Sequence, residues 1–118
     1  MKRSMQNGQL KQKVTYKDEK PDGSYEVYFD NGNPEWKGTY QNGKMHGIWE
    51  WSYENGHMRV EDNYKNGKRH GPLIGYHKNG FLRVTGEYKD GKKDGQWMLY
   101  DEDGQRYVTV DYIDGAMQ

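Results

Sequence analysis

The chain of 118 residues contains no cysteine. That excludes disulfides, a thiol nucleophile and thiolate-held metal, and it fits a cytoplasmic protein. A charge of one sign is missing too, because 18 basic residues balance 18 acidic ones. The chain therefore has no general attraction for nucleic acid, and no nucleic-acid partner is expected. No apolar run approaches the ~18 residues of a membrane-spanning helix. Met1-Lys2-Arg3 is basic but no apolar segment follows it, so no signal peptide is expected. Hydrophobic residues make up only 31%, against the ~45–50% usual in globular domains. So little apolar material cannot fill a thick core, and alone it would suit a disordered chain. Yet 11 Tyr and 4 Trp are present, with 16 Gly, many at regular intervals. The combination points to one small, thin domain with a single apolar face.

Groups that carry chemistry are equally scarce. The serines are Ser4, Ser24 and Ser52, none within a nucleophile elbow. The glycines fall in turn dipeptides and not ahead of helices, so no phosphate-cradling loop forms. His46 and His70 occupy equivalent places in a repeat, which suits packing at strand ends, and His57 and His77 add no zinc-like spacing. The many Asp and Glu residues offer no acid–base pair that stands out. No catalytic residue, metal or cofactor is expected, and the chain reads as a non-enzyme.

What the chain does contain is a 24-residue repeat built on tight turns. Asn31-Gly32, Asn55-Gly56, Asn79-Gly80 and Asp103-Gly104 form one register; Asn42-Gly43, Asn66-Gly67, Asp90-Gly91 and Asp114-Gly115 form a second. These dipeptides are the strongest short-range hairpin signals, since a type I′ turn needs φ > 0 at both central residues. Four units follow, at 23–46, 47–70, 71–94 and 95–118, in one domain. Residues 1–22 read as a degenerate copy or cap, with Asn7-Gly8 and Tyr16 in phase with the rest.

A two-residue loop at Asn31-Gly32 sets Val27 opposite Trp36, Tyr25 opposite Gly38 and Gly23 opposite Tyr40. In the next unit Trp51 opposes Val60, Trp49 opposes Asp62 and Gly47 opposes Tyr64. The later hairpins follow the same rule. Side chains alternate across a strand, so all these residues share one face. Tyr25, Trp36, Tyr40, Trp49, Trp51, Tyr53, Tyr64, Tyr88, Trp97 and Tyr112 form an aromatic stripe there, and rings over glycines shield the backbone. The other face is polar, with Glu26 opposite Lys37 and Glu50 opposite Glu61. The expected fold is all-β: a single-layer, twisted antiparallel meander of 24-residue β-hairpin repeats, with roughly eight to nine strands.

The unit Gly47-Ile48-Trp49 through Asn55-Gly56, then Tyr64-Lys65-Asn66-Gly67-Lys68-Arg69-His70-Gly71, resembles the MORN-variant repeat. The resemblance spans residues 23–118 in four consecutive copies. It implies a MORN-repeat sheet. It also implies one of two kinds of role: antitoxin or immunity partner of a toxin, or scaffold for partner binding, dimerisation or contact with anionic membranes. Unit three departs from its predecessor, with Leu73 and Gly75 at the places of Trp49 and Trp51.

Each candidate site has a structural reading. The aromatic stripe serves first to hold repeats together; as a binding groove it would use Trp and Tyr as interface anchors. Trp51 and Trp36 exceed what their positions require, since their equivalents are Val27, Gly75, Leu99 and Val60, Val84, Val108. Lys44, Lys65, Lys68, Arg69, His70, Lys89, Lys92 and Lys93 fall along one rim, diluted by Asp90 and Asp94, with Asp30, Glu54, Asp101, Glu102 and Asp103 along the other, where Lys78 and Arg106 are exceptions. Such rims keep an array soluble, or they steer an acidic partner.

The expectation is a protein-binding module that neutralises a protein partner, a toxin or effector, by occlusion. Trp36, Trp49, Trp51 and Tyr53 would form its apolar centre, with Lys68 and Arg69 steering. A self-associating or anionic-membrane scaffold is the alternative, and a homodimer remains open; membrane contact is not favoured. A phage or mobile-element inhibitor of a host system is a third reading with the same geometry.

Overall fold

The computed structural model describes residues 2–4 and 10–118, with side chains from residue 12 onward. The strands are β1 (Lys2–Ser4), β2 (Leu10–Lys17), β3 (Lys20–Tyr28), β4 (Pro34–Gln41), β5 (Lys44–Ser52) and β6 (Met58–Lys65). They continue as β7 (Lys68–Arg69), β8 (Gly71–Tyr76), β9 (Leu82–Lys89), β10 (Lys92–Tyr100), β11 (Arg106–Ile113) and β12 (Ala116–Met117). All belong to one antiparallel sheet in chain order, and β7 and β8 both pair with β6 as one strand interrupted at His70. Among the described residues there is no helix. The extents, 47 × 33 × 14 Å, are those of a plate one sheet thick. The strand count exceeds the expected eight to nine because β1 and β12 add short edges and β7–β8 is split.

The expected cross-strand pairs are present in every hairpin, from Val27↔Trp36 to Gly95↔Tyr112. The turns that produce them are of two kinds, which corrects the expectation of eight type I′ turns. In the second register both central residues have positive φ, as at Asn42 (53°) and Gly43 (82°), which is the type I′ shape. In the first register only the glycine does, as at Gly32 (89°). There the Gly32 N–H donates to the Phe29 carbonyl at 2.9 Å and the Phe29 N–H to the Asn33 carbonyl at 2.8 Å. The loop is thus three residues, a type I turn closed by a left-handed glycine. Asn31 favours it because its Oδ1 accepts the Asn33 N–H at 2.9 Å, a local bond that competes with the type I′ geometry. A bulge at Glu35 then adds one residue to the returning strand, since Tyr28 pairs with Pro34 but Val27 with Trp36. The longer loop and the bulge cancel, and so the register matches that of a two-residue loop.

A second irregularity sits between repeats. Lys37 pairs with Glu50, but Thr39 pairs with His46, so the β5 segment around Gly47-Ile48-Trp49 bows away from β4. Gly47 makes the bow at φ 74°, a region open mainly to glycine. The indole of Trp49 drops over Gly38, where a methyl group would lie inside the ring, and its Nε1–H donates to the Thr39 carbonyl at 3.1 Å. Trp97 repeats the arrangement over Gly86, donating to the Glu87 carbonyl at 3.1 Å. These seats, with Leu73 and Val84 between them, make the thin core.

Candidate functional site

The aromatic face carries two clusters of rings, each around a buried tryptophan. Its first half centres on Trp49, which is 0% exposed. Around it lie Tyr40 at 5.1 Å, Trp36 at 5.5 Å, Tyr25 at 5.8 Å, Trp51 at 6.2 Å and Tyr64 at 6.4 Å between ring centroids. Trp36 and Trp51 face each other across β4 and β5. Their rings stack at 5.8 Å with an 18° tilt, and both stay only half-buried. Tyr25, Tyr40 and Tyr64 are exposed to a similar degree, and Trp49 alone of this cluster is buried. The second half centres on Trp97, with Tyr88 at 5.2 Å and Tyr112 at 6.2 Å.

Between the halves the stripe is broken by charge. Asp62 is 1% exposed and takes the place that glycine holds at 38 and 86. Its Oδ1 accepts the Asn63 N–H at 2.9 Å, and its Oδ2 accepts Arg69 Nε–H at 2.6 Å. A buried carboxylate needs such a partner. The Arg69 guanidinium also lies 5.2 Å from the centre of the Tyr88 ring. Burial raises the Tyr64 phenol above its ordinary value of 10.0, with Arg69 pulling it down and Asp62 adding to the rise.

The family profile described as MORN repeat variant matches residues 6–18, 21–44 and 45–66. The chain belongs to the MORN repeat variant family. No curated protein matches it. The matched segments carry the Trp49 seat and the Trp36–Trp51 stack, and the same hairpin geometry continues beyond them through β11. The MORN repeats suggest a binding module, not a catalyst, and among the described residues no group of His, Cys, Asp or Glu is placed to hold a metal ion.

The residues expected to bind as one set are only partly together. Trp36, Trp49 and Trp51 form one cluster, but Trp49 lies beneath the others, so it is a core residue and not a contact residue. Tyr53 is turned to the strand ends, where its hydroxyl donates to the Tyr76 carbonyl at 2.8 Å and ties one repeat to the next. Lys68 is exposed on the rim, beside Lys44, Lys65, Asn66, His70 and Asp90. Arg69 leaves that rim for the aromatic face, because strand alternation points it inward and Asp62 holds it there. Lys93 leaves it as well, with Nζ 5.0 Å from the Trp97 ring centre and 5.1 Å from that of Tyr112. The remaining basic rim of this MORN array is Lys44, Lys65, Lys68, Lys89 and Lys92, all exposed.

The opposite rim carries a device that sequence reasoning missed. The Asn31 amide donates to the Glu54 carbonyl at 2.9 Å, Asn55 to the Lys78 carbonyl at 3.2 Å, and Asn79 to the Glu102 carbonyl at 2.8 Å. Each first-register turn is thereby tied to the next. The signal was asparagine at three successive equivalent positions, where turn chemistry alone would accept aspartate.

Proposed function

We propose that this MORN array is a protein-binding module of the antitoxin or immunity type, which neutralises a protein partner by covering it. The observation that carries the reading is the half-exposed Trp36–Trp51 stack above the buried Trp49. Paired aromatic anchors at the centre of an apolar patch are the usual hot spots of protein interfaces. The plate, 47 × 33 Å across, exceeds the ~800 Å² per partner of a standard interface. Lys68 and its rim neighbours supply steering for an acidic partner.

The test is co-purification with the product of an adjacent open reading frame, followed by Trp51→Ala. Loss of about 2 kcal/mol or more of binding with an unchanged thermal midpoint supports the reading. A variant that binds normally rejects it. A scaffold touching anionic membranes is the second reading, favoured by the cluster of Lys44, Lys65 and Lys68 at one depression. Flotation with anionic vesicles that disappears at high salt would select it.

A further inference from the structure

Five Asn-Gly pairs lie in described turns, and their asparagines are exposed, but the two registers hold their side chains differently. Asn31, Asn55 and Asn79 are each held at both ends. Their Oδ1 atoms accept the N–H two residues on, at 2.9, 2.9 and 3.0 Å, and their amides donate to the next turn. Asn42 and Asn66 make no side-chain hydrogen bond among the described residues. The following glycine N–H is bonded in both registers, Gly32 to Phe29, Gly43 to Pro21 and Gly67 to Met45, at 2.9–3.0 Å. What differs is the asparagine itself: its side-chain bonds, and its φ, which is positive only in the second register.

Asparagine before glycine is chemically labile. The glycine nitrogen, once deprotonated, attacks the asparagine Cγ. The N–Cγ bond forms, the Cγ–Nδ2 bond breaks, and ammonia leaves with a proton. Solvent water then opens the cyclic imide at either carbonyl, to aspartate or isoaspartate. The attack needs a side chain free to swing, which the doubly held asparagines lack.

The geometry points to Asn66 and Asn42 as sites of spontaneous deamidation in the folded protein, with Asn31, Asn55 and Asn79 protected. Asn66 leads because Lys44, Lys65 and Lys68 border it against one carboxylate, Asp90, and net positive potential favours both loss of the glycine proton and the carboxylate product. Asn42 has Lys17 and Lys20 nearby but also Asp18 and Asp22. The aspartate product suits these turns: Asp90 and Asp114 occupy the equivalent places at φ 51° and 50°, against 52° at Asn66 and 53° at Asn42. Each event subtracts one charge from a formally neutral chain, on the rim that carries the lysines. The aspartate product therefore weakens that rim without unmaking the fold.

The test is peptide mapping of the full chain, aged at mildly alkaline pH, both folded and in denaturant. In denaturant all five sites should convert at similar rates. In the folded chain Asn66 and Asn42 should convert several-fold faster than the other three, and Asn66→Asp should leave the thermal midpoint unchanged. Equal conversion at Asn31, Asn55 and Asn79 in the folded chain overturns the proposal, as does a fold that slows all five alike.

Discussion

Trp49 and Leu73 hold the same place in successive hairpins, yet one is a buried indole and the other a smaller, aliphatic side chain. The strand beside each explains it. Next to Trp49 lies Gly38, which has no side chain to meet the ring. Next to Leu73, one step along from the pair Glu61↔Ile74, lies Asp62, whose carboxylate and Arg69 partner fill the space. Trp97 over Gly86 returns to the first arrangement. Tryptophan and its glycine seat go together at these two places, Tyr25 pairs with Val14 in the first copy, and where aspartate replaces the glycine the side chain is leucine. The interruption also divides the face into a Trp-rich half and a half overlaid by cations.

Trp49→Ala should break this comparison most severely. It removes the centre of five ring contacts and should cost about 3–5 kcal/mol, more than Leu73→Ala, by urea denaturation. Gly38→Ala and Gly86→Ala should each cost about 1–3 kcal/mol through overpacking; an unchanged midpoint would mean that the rings are not seated as described. Leu73→Trp should destabilise alone and be relieved by Asp62→Gly, with a coupling of about 0.5–3 kcal/mol in a double-mutant cycle. Additive effects would separate the two positions.

The smallest effect concerns pH. Burial raises the Tyr40 phenol, with Tyr25 and Tyr16 adding to it, and burial likewise raises Tyr64. A raised folded value means that folding favours the protonated phenol. That contribution is complete below the ordinary 10.0 and is lost as pH rises through the raised values. The thermal midpoint should start to fall above about pH 10. Arg69→Leu should push Tyr64 further up in an ultraviolet titration and leave Tyr40 in place, because Arg69 acts on only one of them.

Repeat length, strand pairing and facing were legible because hairpin register is a local property. Gly-containing corners recur on a fixed period, and side chains alternate. The turn types were not legible, because Asn-Gly and Asp-Gly suit both geometries: Asp103-Gly104 closes the three-residue loop and Asp90-Gly91 the two-residue one. Asp18-Glu19 was missed for a related reason. Both residues have positive φ, 52° and 65°, so they form a second-register corner with glutamate at the glycine position, held by the pairing of Lys17 with Lys20. The candidate site was half legible: excess tryptophan at 36 and 51 marked the accessible pair, while the depth of Trp49 and the inward turn of Arg69 and Lys93 depend on contacts across repeats.

Alone, the amino-acid order determined a thin aromatic-faced sheet with corners every half repeat, because those features need only neighbouring residues and the two-residue period of a strand. Which rings lie beneath and which stay in reach was decided by the tertiary structure. The bowing of β5 at Gly47, the glycine seats under Trp49 and Trp97, and the Arg69 and Lys93 cations over rings of the following repeat are relations between strands of different repeats, and no single repeat contains both partners.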